Sequence, residues 1–209
     1  IYRKQIVPMI TKKNIRWALA IPFLDTAIYA QIRKKLIEAF GGEFEEVIVG
    51  GAPLNKEVED FLHKIKFPFT VGYGMTECAP IITYSDWKTE KLYSCGEIVP
   101  NMEMKIDSPD PQNIPGELLV RGANVFLGYY KNPEATAEVL KGQWLFTGDM
   151  ARVDEDGFIY LVDRKKDVIV SGGENIYPVQ IEDFIRRNDK VKDVAVIGLA
   201  DQRLGEITA

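Results

Sequence analysis

Val71-Gly72-Tyr73-Gly74-Met75-Thr76-Glu77 is the stretch around which the rest of the chain is organised. It follows Phe67-Pro68-Phe69-Thr70, an aromatic, β-prone run that predicts a short buried strand. Glycines then bracket Tyr73 on both sides, so the backbone can bend sharply and come close to a ligand. A hydroxyl, Thr76, and a carboxylate, Glu77, come next. A strand ending in a glycine-rich bend with polar groups at its tip is a common way for α/β proteins to present a binding site. A hydroxyl can donate to a phosphate oxygen, and a neighbouring carboxylate can hold Mg²⁺ that bridges the same phosphate. The same residues also suit an ordinary tight turn, so the motif needs company before it carries a function.

A similar junction stands upstream. Glu46-Val47-Ile48-Val49 reads as a buried strand that ends at Gly50-Gly51-Ala52-Pro53. Between the two junctions, a helix over about 55–66 places Val58, Phe61, Leu62 and Ile65 on one face. Strand, helix and strand make a β-α-β unit. Parallel pairing then brings Gly50-Gly51 and Gly72-Tyr73-Gly74 together at the carboxyl ends of adjacent strands. An earlier helix, 24–40, follows from Ile28, Ile32, Leu36 and Phe40, with Gly41-Gly42 as its stop. Residues 1–20 show no clear periodicity.

The character changes after Glu90. Residues 95–100, 102–106 and 116–121 read as short strands separated by Pro and Asn turns, which predicts a small antiparallel barrel or sandwich. Asn132-Pro133 opens a helix to about Leu140. Trp144-Leu145-Phe146 leads into Thr147-Gly148-Asp149, and the runs 150–153 and 158–162 flank a hairpin turn at 154–157. Asp163-Arg164-Lys165-Lys166-Asp167 is a run of charge that separates two structured regions, and it reads as a linker or hinge. Beyond it come a strand at 168–170, a flexible loop at 171–175, a helix from Pro178 to about Asn188 and a strand at 194–199. The expected fold class is α/β plus antiparallel β, divided as 1–90, 91–163 and 164–209. Both ends of the sequence read as cut.

Composition narrows the chemistry. Of 209 residues, 46% are hydrophobic and 27% charged, ordinary values for a globular protein able to bury a good core. A net charge of −5 argues against a nucleic-acid partner held by a general basic surface. The cysteines, Cys78 and Cys95, form no CxxC or Cys/His cluster, so structural zinc and a disulfide framework are not expected and a reducing cytoplasm fits best. The one histidine, His63, lies on the predicted 55–66 helix, where a surface or packing role is expected rather than nucleophilic catalysis. No apolar run is long enough to span a bilayer.

Taken together, Gly50-Gly51-Ala52-Pro53, Gly72 to Glu77, Gly116 to Gly122 with Gly128-Tyr129-Tyr130, Thr147-Gly148-Asp149, and Asp163-Arg164 with Gly172 to Pro178 resemble the adenylate-forming (AMP-binding) superfamily. That superfamily holds acyl-CoA synthetases, luciferases and nonribosomal peptide adenylation domains, and the wording here is most similar to long-chain fatty acid–CoA ligases. The resemblance implies part of the large N-terminal domain, with its βαβ sheet segment and small β-barrel, followed by the start of a small α+β C-terminal domain. It implies ATP and a fatty acid as substrates, acyl-AMP as intermediate, CoA as acyl acceptor and Mg²⁺ as metal. Residue by residue, Thr76 resembles the α-phosphate hydroxyl and Glu77 the Mg²⁺ ligand, together the catalytic pair. Tyr73, with Gly74, resembles the adenine-stacking element, and Gly50, Gly51 and Ala52 the opposite wall. Asp149 resembles the ribose-binding carboxylate and Arg164 its cationic neighbour. Lys166 matches the position of the hinge, and Gly172 and Gly173 match a loop that leaves room for the pantetheine arm of CoA.

Two parts of the family's machinery have no counterpart in the sequence. These are the Ser/Thr/Gly-rich loop that wraps the β- and γ-phosphates and the lysine near the family's C-terminus. Residues 1–209 alone are therefore expected to be inactive. An adenylation domain that loads an amino or aryl acid onto a carrier protein, and a non-catalytic nucleotide-binding module, are the alternatives. The apolar run Cys78-Ala79-Pro80-Ile81 fits a hydrocarbon substrate better than an amino acid. Peripheral contact with a membrane, where long-chain acids reside, is compatible with this reading, although no amphipathic helix argues for it.

Overall fold

Strand, helix and strand fold between residues 47 and 71 as the periodicity predicts. In a computed structural model that describes residues 7–12, 17, 19–21, 24–188 and 190–209, β1 (Val47–Val49) pairs in parallel with β2 (Phe69–Val71). The chain divides into two compact units, Ile1–Gly72 with Ser85–Tyr93, and Tyr73–Tyr84 with Ser94–Ala209.

In the first unit, a short helix α1 (Val7–Ile10) precedes α2 (Leu24–Ala39). Gly41 and Gly42 stop α2 at positive φ, and the Gly42 N–H donates back to the Ile37 carbonyl at 2.9 Å, a glycine C-cap. The helix α3 (Lys56–Lys64) starts where Asn55 accepts from the N–H groups of Glu57 and Val58 at 3.1 and 3.3 Å. Its Phe61, with the following Ile65, packs with Ile32, Phe67 and Phe69 into the unit's core. His63 points to solvent. β1 is less buried than its sequence suggested. Val47 and Val49 pack against the core, but Ile48 is 53% exposed, because alternate side chains of a strand leave on opposite faces and only one face is covered.

The second unit is built on antiparallel pairing. β3 (Tyr73–Gly74) pairs with β4 (Ile81–Tyr84), and β4 with β5 (Glu97–Ile98). A larger sheet runs β10 (Ile159–Arg164), β9 (Trp144–Val153), β7 (Gly116–Gly122) and β6 (Met102–Asp107), with β8 (Leu140–Lys141) on β9. Between β7 and β8 sits α4 (Pro133–Val139), capped by Asn132 as its sequence requires. Both faces of β7 are buried from Gly116 to Val120, with Leu118, Leu119 and Val120 at most 2% exposed. A third sheet orders β12 (Glu174–Ile176), β11 (Ile169–Ser171), β14 (Gly205–Thr208) and β13 (Gly198–Asp201), beside α5 (Pro178–Ile185).

Residues 147–149 lie inside β9, which continues through them. Two expectations change here. The loop 171–175 is a hairpin. Ser171 pairs with Glu174, and Gly172 and Gly173 make the turn at φ +60° and +90°, the geometry of a two-residue type I′ connection. The strand expected from Val194 begins only at Gly198, because side chains of α5 and of Arg186 just after it take the preceding backbone groups. Glu182 accepts from the Val196 N–H at 2.9 Å, and Arg186 donates to the Val194 carbonyl at 3.1 Å.

Candidate functional site

The centre of the second unit is a bulge in β9. On one side of it Leu119 pairs with Phe146, and on the other Glu117 pairs with Met150, so Leu118 alone faces Thr147, Gly148 and Asp149. Such insertions re-aim a side chain, and they gather beside functional sites. Gly148 supplies the left-handed turn at φ +76°. Thr147 Oγ1 donates to the Leu118 carbonyl at 2.8 Å and accepts from the Asp149 N–H at 3.1 Å. The Gly148 N–H donates to Glu117 Oε1 at 3.1 Å. Every turn of the bulge is thus held, and Asp149 is presented from a fixed backbone.

Two of the expected site residues meet there. Tyr73 donates its phenol proton to Asp149 Oδ2 at 2.5 Å, a charge-assisted bond. Burial, and then the Asp149 carboxylate, push the Tyr73 phenol far above its ordinary value. The backbone of Tyr73 is anchored as well, its N–H donating at 3.2 Å to Thr83 Oγ1, which in turn donates to the Cys95 carbonyl. Arg164 stands directly opposite Asp149 on β10, past a bulge at Val162, and its guanidinium makes no hydrogen bond among the described residues. Asp163 is used otherwise: it accepts from the Val179 N–H at 3.1 Å, in the first turn of α5.

Thr76 and Glu77 open a short 3₁₀ turn, Thr76–Cys78, directly after β3. Thr76 is exposed. Glu77 Oε1 accepts the Tyr129 hydroxyl at 2.8 Å, and the Glu77 carbonyl accepts the Phe126 N–H at 2.8 Å. Asn124 adds a bond to the Cys78 carbonyl at 2.7 Å. The segment after β7 therefore wraps the Thr76–Cys78 turn and holds Glu77 from one side. The Glu77 carboxylate raises the Tyr129 phenol above its ordinary range by accepting its proton. Sequence reasoning missed this role for Tyr129, although Gly128-Tyr129-Tyr130 was one of the motifs in view.

Gly74 proves to be required by the chain itself. A β-carbon there would stand 2.1 Å from the Pro80 carbonyl oxygen, which accepts the Met75 N–H at 2.8 Å. Gly50, Gly51 and Ala52 are exposed at the end of β1 in the first unit. A β-carbon on Gly50 would lie 3.3 Å from the Gly72 carbonyl oxygen, and the Gly72 N–H bonds the Val49 carbonyl at 2.9 Å, so Gly50 and Gly72 do meet at the ends of β1 and β2. Lys166 is exposed in the 3₁₀ turn Lys165–Asp167. Gly172 and Gly173 are exposed at the β11–β12 turn, pinned by the Gly172 N–H to the Leu204 carbonyl at 2.8 Å. Cys78 and Cys95 are buried, and burial pushes both thiols up to about 11, so neither is a thiolate nucleophile at neutral pH.

A family model described as "AMP-binding enzyme" matches residues 3–130. The chain belongs to the AMP-binding enzyme family. It is 41% identical over 165 residues to a long-chain-fatty-acid–CoA ligase of Escherichia coli O157:H7, covering 75% of this chain and 29% of that protein. It is 36% identical over 210 residues to a feruloyl-CoA synthase of Amycolatopsis sp, covering 97% of this chain and 42% of that one. Among solved structures, the o-succinylbenzoate CoA synthetase MenE of Bacillus subtilis, in complex with its acyl-adenylate intermediate, matches with a TM-score of 0.72 at 29% identity. That match covers 84% of this chain and 39% of the synthetase. The same synthetase has been solved with ATP and magnesium ion. The chain therefore spans less than half the length of the relatives it matches. Its α/β unit and antiparallel sheets are the fold of adenylate-forming enzymes, as the motifs implied.

Proposed function

We propose that this chain forms the adenosine side of the active site of an acid–CoA ligase that activates a long-chain fatty acid. The observation that carries the reading is the bulge that sets Asp149 between Tyr73 and Arg164. A ribose presents two adjacent hydroxyls, and a carboxylate on a rigid turn can accept from both, while Arg164 adds charge beside them. Tyr73 already donates to one Asp149 oxygen, so a ribose hydroxyl shares or displaces that proton as it docks. Tyr73 is the residue proposed to stack on adenine, with Gly74 keeping the bend tight, and Gly50, Gly51 and Ala52 of the first unit are proposed as further adenosine-binding residues by the family resemblance.

Thr76 donates to the α-phosphate, where negative charge gathers as the acid's carboxylate oxygen bonds to phosphorus and the pyrophosphate oxygen leaves. The fit to Mg²⁺ is sound: the other oxygen of Glu77 is unengaged among the described residues, and Mg²⁺ is commonly held by one or two carboxylates plus substrate phosphates. Bound there, the ion neutralises charge on the phosphates. In the second half-reaction the CoA sulfur bonds to the acyl carbon, the thiol proton is lost and AMP leaves. For that step Lys166 serves as the hinge, and the Gly172-Gly173 turn leaves space for the pantetheine arm. The division 1–90, 91–163 and 164–209 describes the working parts. The enzyme is proposed to act in the cytoplasm, with no nucleic-acid partner. Among the described residues no helix is long and apolar enough to cross a membrane.

Ala79, Pro80 and Ile81 are exposed beside Glu77, an apolar surface that suits a hydrocarbon acid. An aryl acid is the second reading, favoured by the feruloyl-CoA synthase likeness over 97% of the chain. The test is acid-dependent exchange of pyrophosphate into ATP by the whole protein, across fatty, aryl and amino acids, with residues 1–209 as control. Exchange that grows with fatty-acid length and is absent in the control supports the proposal. Exchange with aryl acids alone replaces the substrate, and no exchange with any acid refutes a ligase.

A further inference from the structure

Glu117 belongs to none of the roles assigned so far, yet both of its oxygens are committed at the site. The residue is 6% exposed, on β7 opposite the bulge. Its Oε1 accepts the Gly148 N–H at 3.1 Å, and its Oε2 accepts Lys165 Nζ at 2.7 Å. Gly148 immediately precedes Asp149, and Lys165 immediately follows Arg164. Burying a carboxylate is costly unless it is paired and hydrogen-bonded, and here each oxygen finds one donor from either side of the ribose-facing pair.

We propose that Glu117 is the positioning residue that sets Asp149 and Arg164 together, one carboxylate bracing the bulge through Gly148 and the charged segment through Lys165. Three motifs that stand apart in the sequence, at 116–122, 147–149 and 163–167, thus converge on a single side chain. The ion pair adds a directional consequence. Lys165 adjoins Lys166, so movement at that residue pulls on the same carboxylate that braces the bulge, and ribose binding and the hinge segment are coupled through Glu117. This inference rests on the reading of Asp149 as the ribose acceptor.

The test is titration of the whole protein with AMP and with 2′,3′-dideoxy-AMP, which lacks the hydroxyls that Asp149 would bind. The unsubstituted protein should prefer AMP. Glu117→Ala removes both braces, and it should weaken AMP about tenfold while changing the dideoxy nucleotide less than twofold, in keeping with a lost hydrogen bond to a charged acceptor. Glu117→Gln keeps an oxygen for the Gly148 N–H but loses the ion pair, so its loss should be smaller and matched by Lys165→Met. Lys165 is largely exposed, so that second variant tests the idea without threatening the fold. The double variant Glu117→Gln, Lys165→Met should be no weaker than either alone, because both remove one interaction. Equal losses on the two nucleotides, or additive effects in the double variant, overturn the proposal. If the unsubstituted protein does not distinguish the nucleotides, Asp149 is not the ribose acceptor, and both readings fall.

Discussion

Replacing Glu59 by glutamine should make the protein more stable at pH 8 and leave it unchanged near pH 4. Glu59 lies on α3 at 3% exposure, where its Oε1 accepts the Tyr93 N–H at 2.5 Å. Burial, with Glu90 and Asp60 nearby, pushes its carboxyl from 4.5 up to about 7, against the pull of the Tyr93 N–H and Lys56. Between those values the folded state holds a proton that the unfolded state has released. The contribution of Glu59 to stability is therefore fully present below pH 4.5 and is lost as the pH rises through about 7, with the full penalty reached above that. At about 1.4 kcal/mol per unit the ceiling is on the order of 3 kcal/mol, which screening by nearby water reduces to about 2 kcal/mol. Glutamine keeps an oxygen for the Tyr93 N–H and never ionises. Urea unfolding at several pH values would measure this in a Trp144→Phe background, which leaves Trp17 and Trp87, both in the first unit, as reporters. The two stability curves should coincide near pH 4.5 and separate by pH 8. Parallel curves, or a variant less stable at pH 8, would refute the argument from burial.

Tyr73→Phe deletes the bond to Asp149 and should cost the second unit about 1.5–3 kcal/mol, as expected for a hydrogen bond to a charged group. In an ultraviolet pH titration Tyr73 and Tyr129 should both stay protonated above the ordinary value of about 10 in the native protein, and the variant should show one such tyrosine fewer. Gly74→Ala drives a methyl to 2.1 Å from the Pro80 carbonyl oxygen and should cost upward of about 3 kcal/mol, read as a lowered thermal midpoint. Gly51→Ala has φ +82° but open space, so only backbone strain of about 1 kcal/mol should appear. Gly74 does not lie at positive φ, so a cost there no larger than that at Gly51 would mean that the Pro80 contact relaxes and does not set the demand at Gly74.

What the sequence by itself determined was local. Apolar spacing marked α2, α3 and the β-α-β order, Asn55 and Asn132 marked helix starts, and Gly41-Gly42 marked a stop. Each of those signals acts within a few residues along one element, which is the range that side-chain periodicity and capping can report. The motifs also named Tyr73, Asp149 and Arg164 as residues to watch. Tertiary structure alone decided what those residues do to one another. The Tyr73–Asp149 bond spans 76 positions, Tyr129–Glu77 spans 52 and Lys165–Glu117 spans 48. No pattern in the sequence announces such pairs, because they depend on strand register. It took the pairing of β7 with β9 to show that Thr147, Gly148 and Asp149 stand against one residue and must bulge. It took the return of the chain at Pro80 to show why residue 74 has no side chain. Residue identity names the chemistry available, and only the register of the sheet aims it.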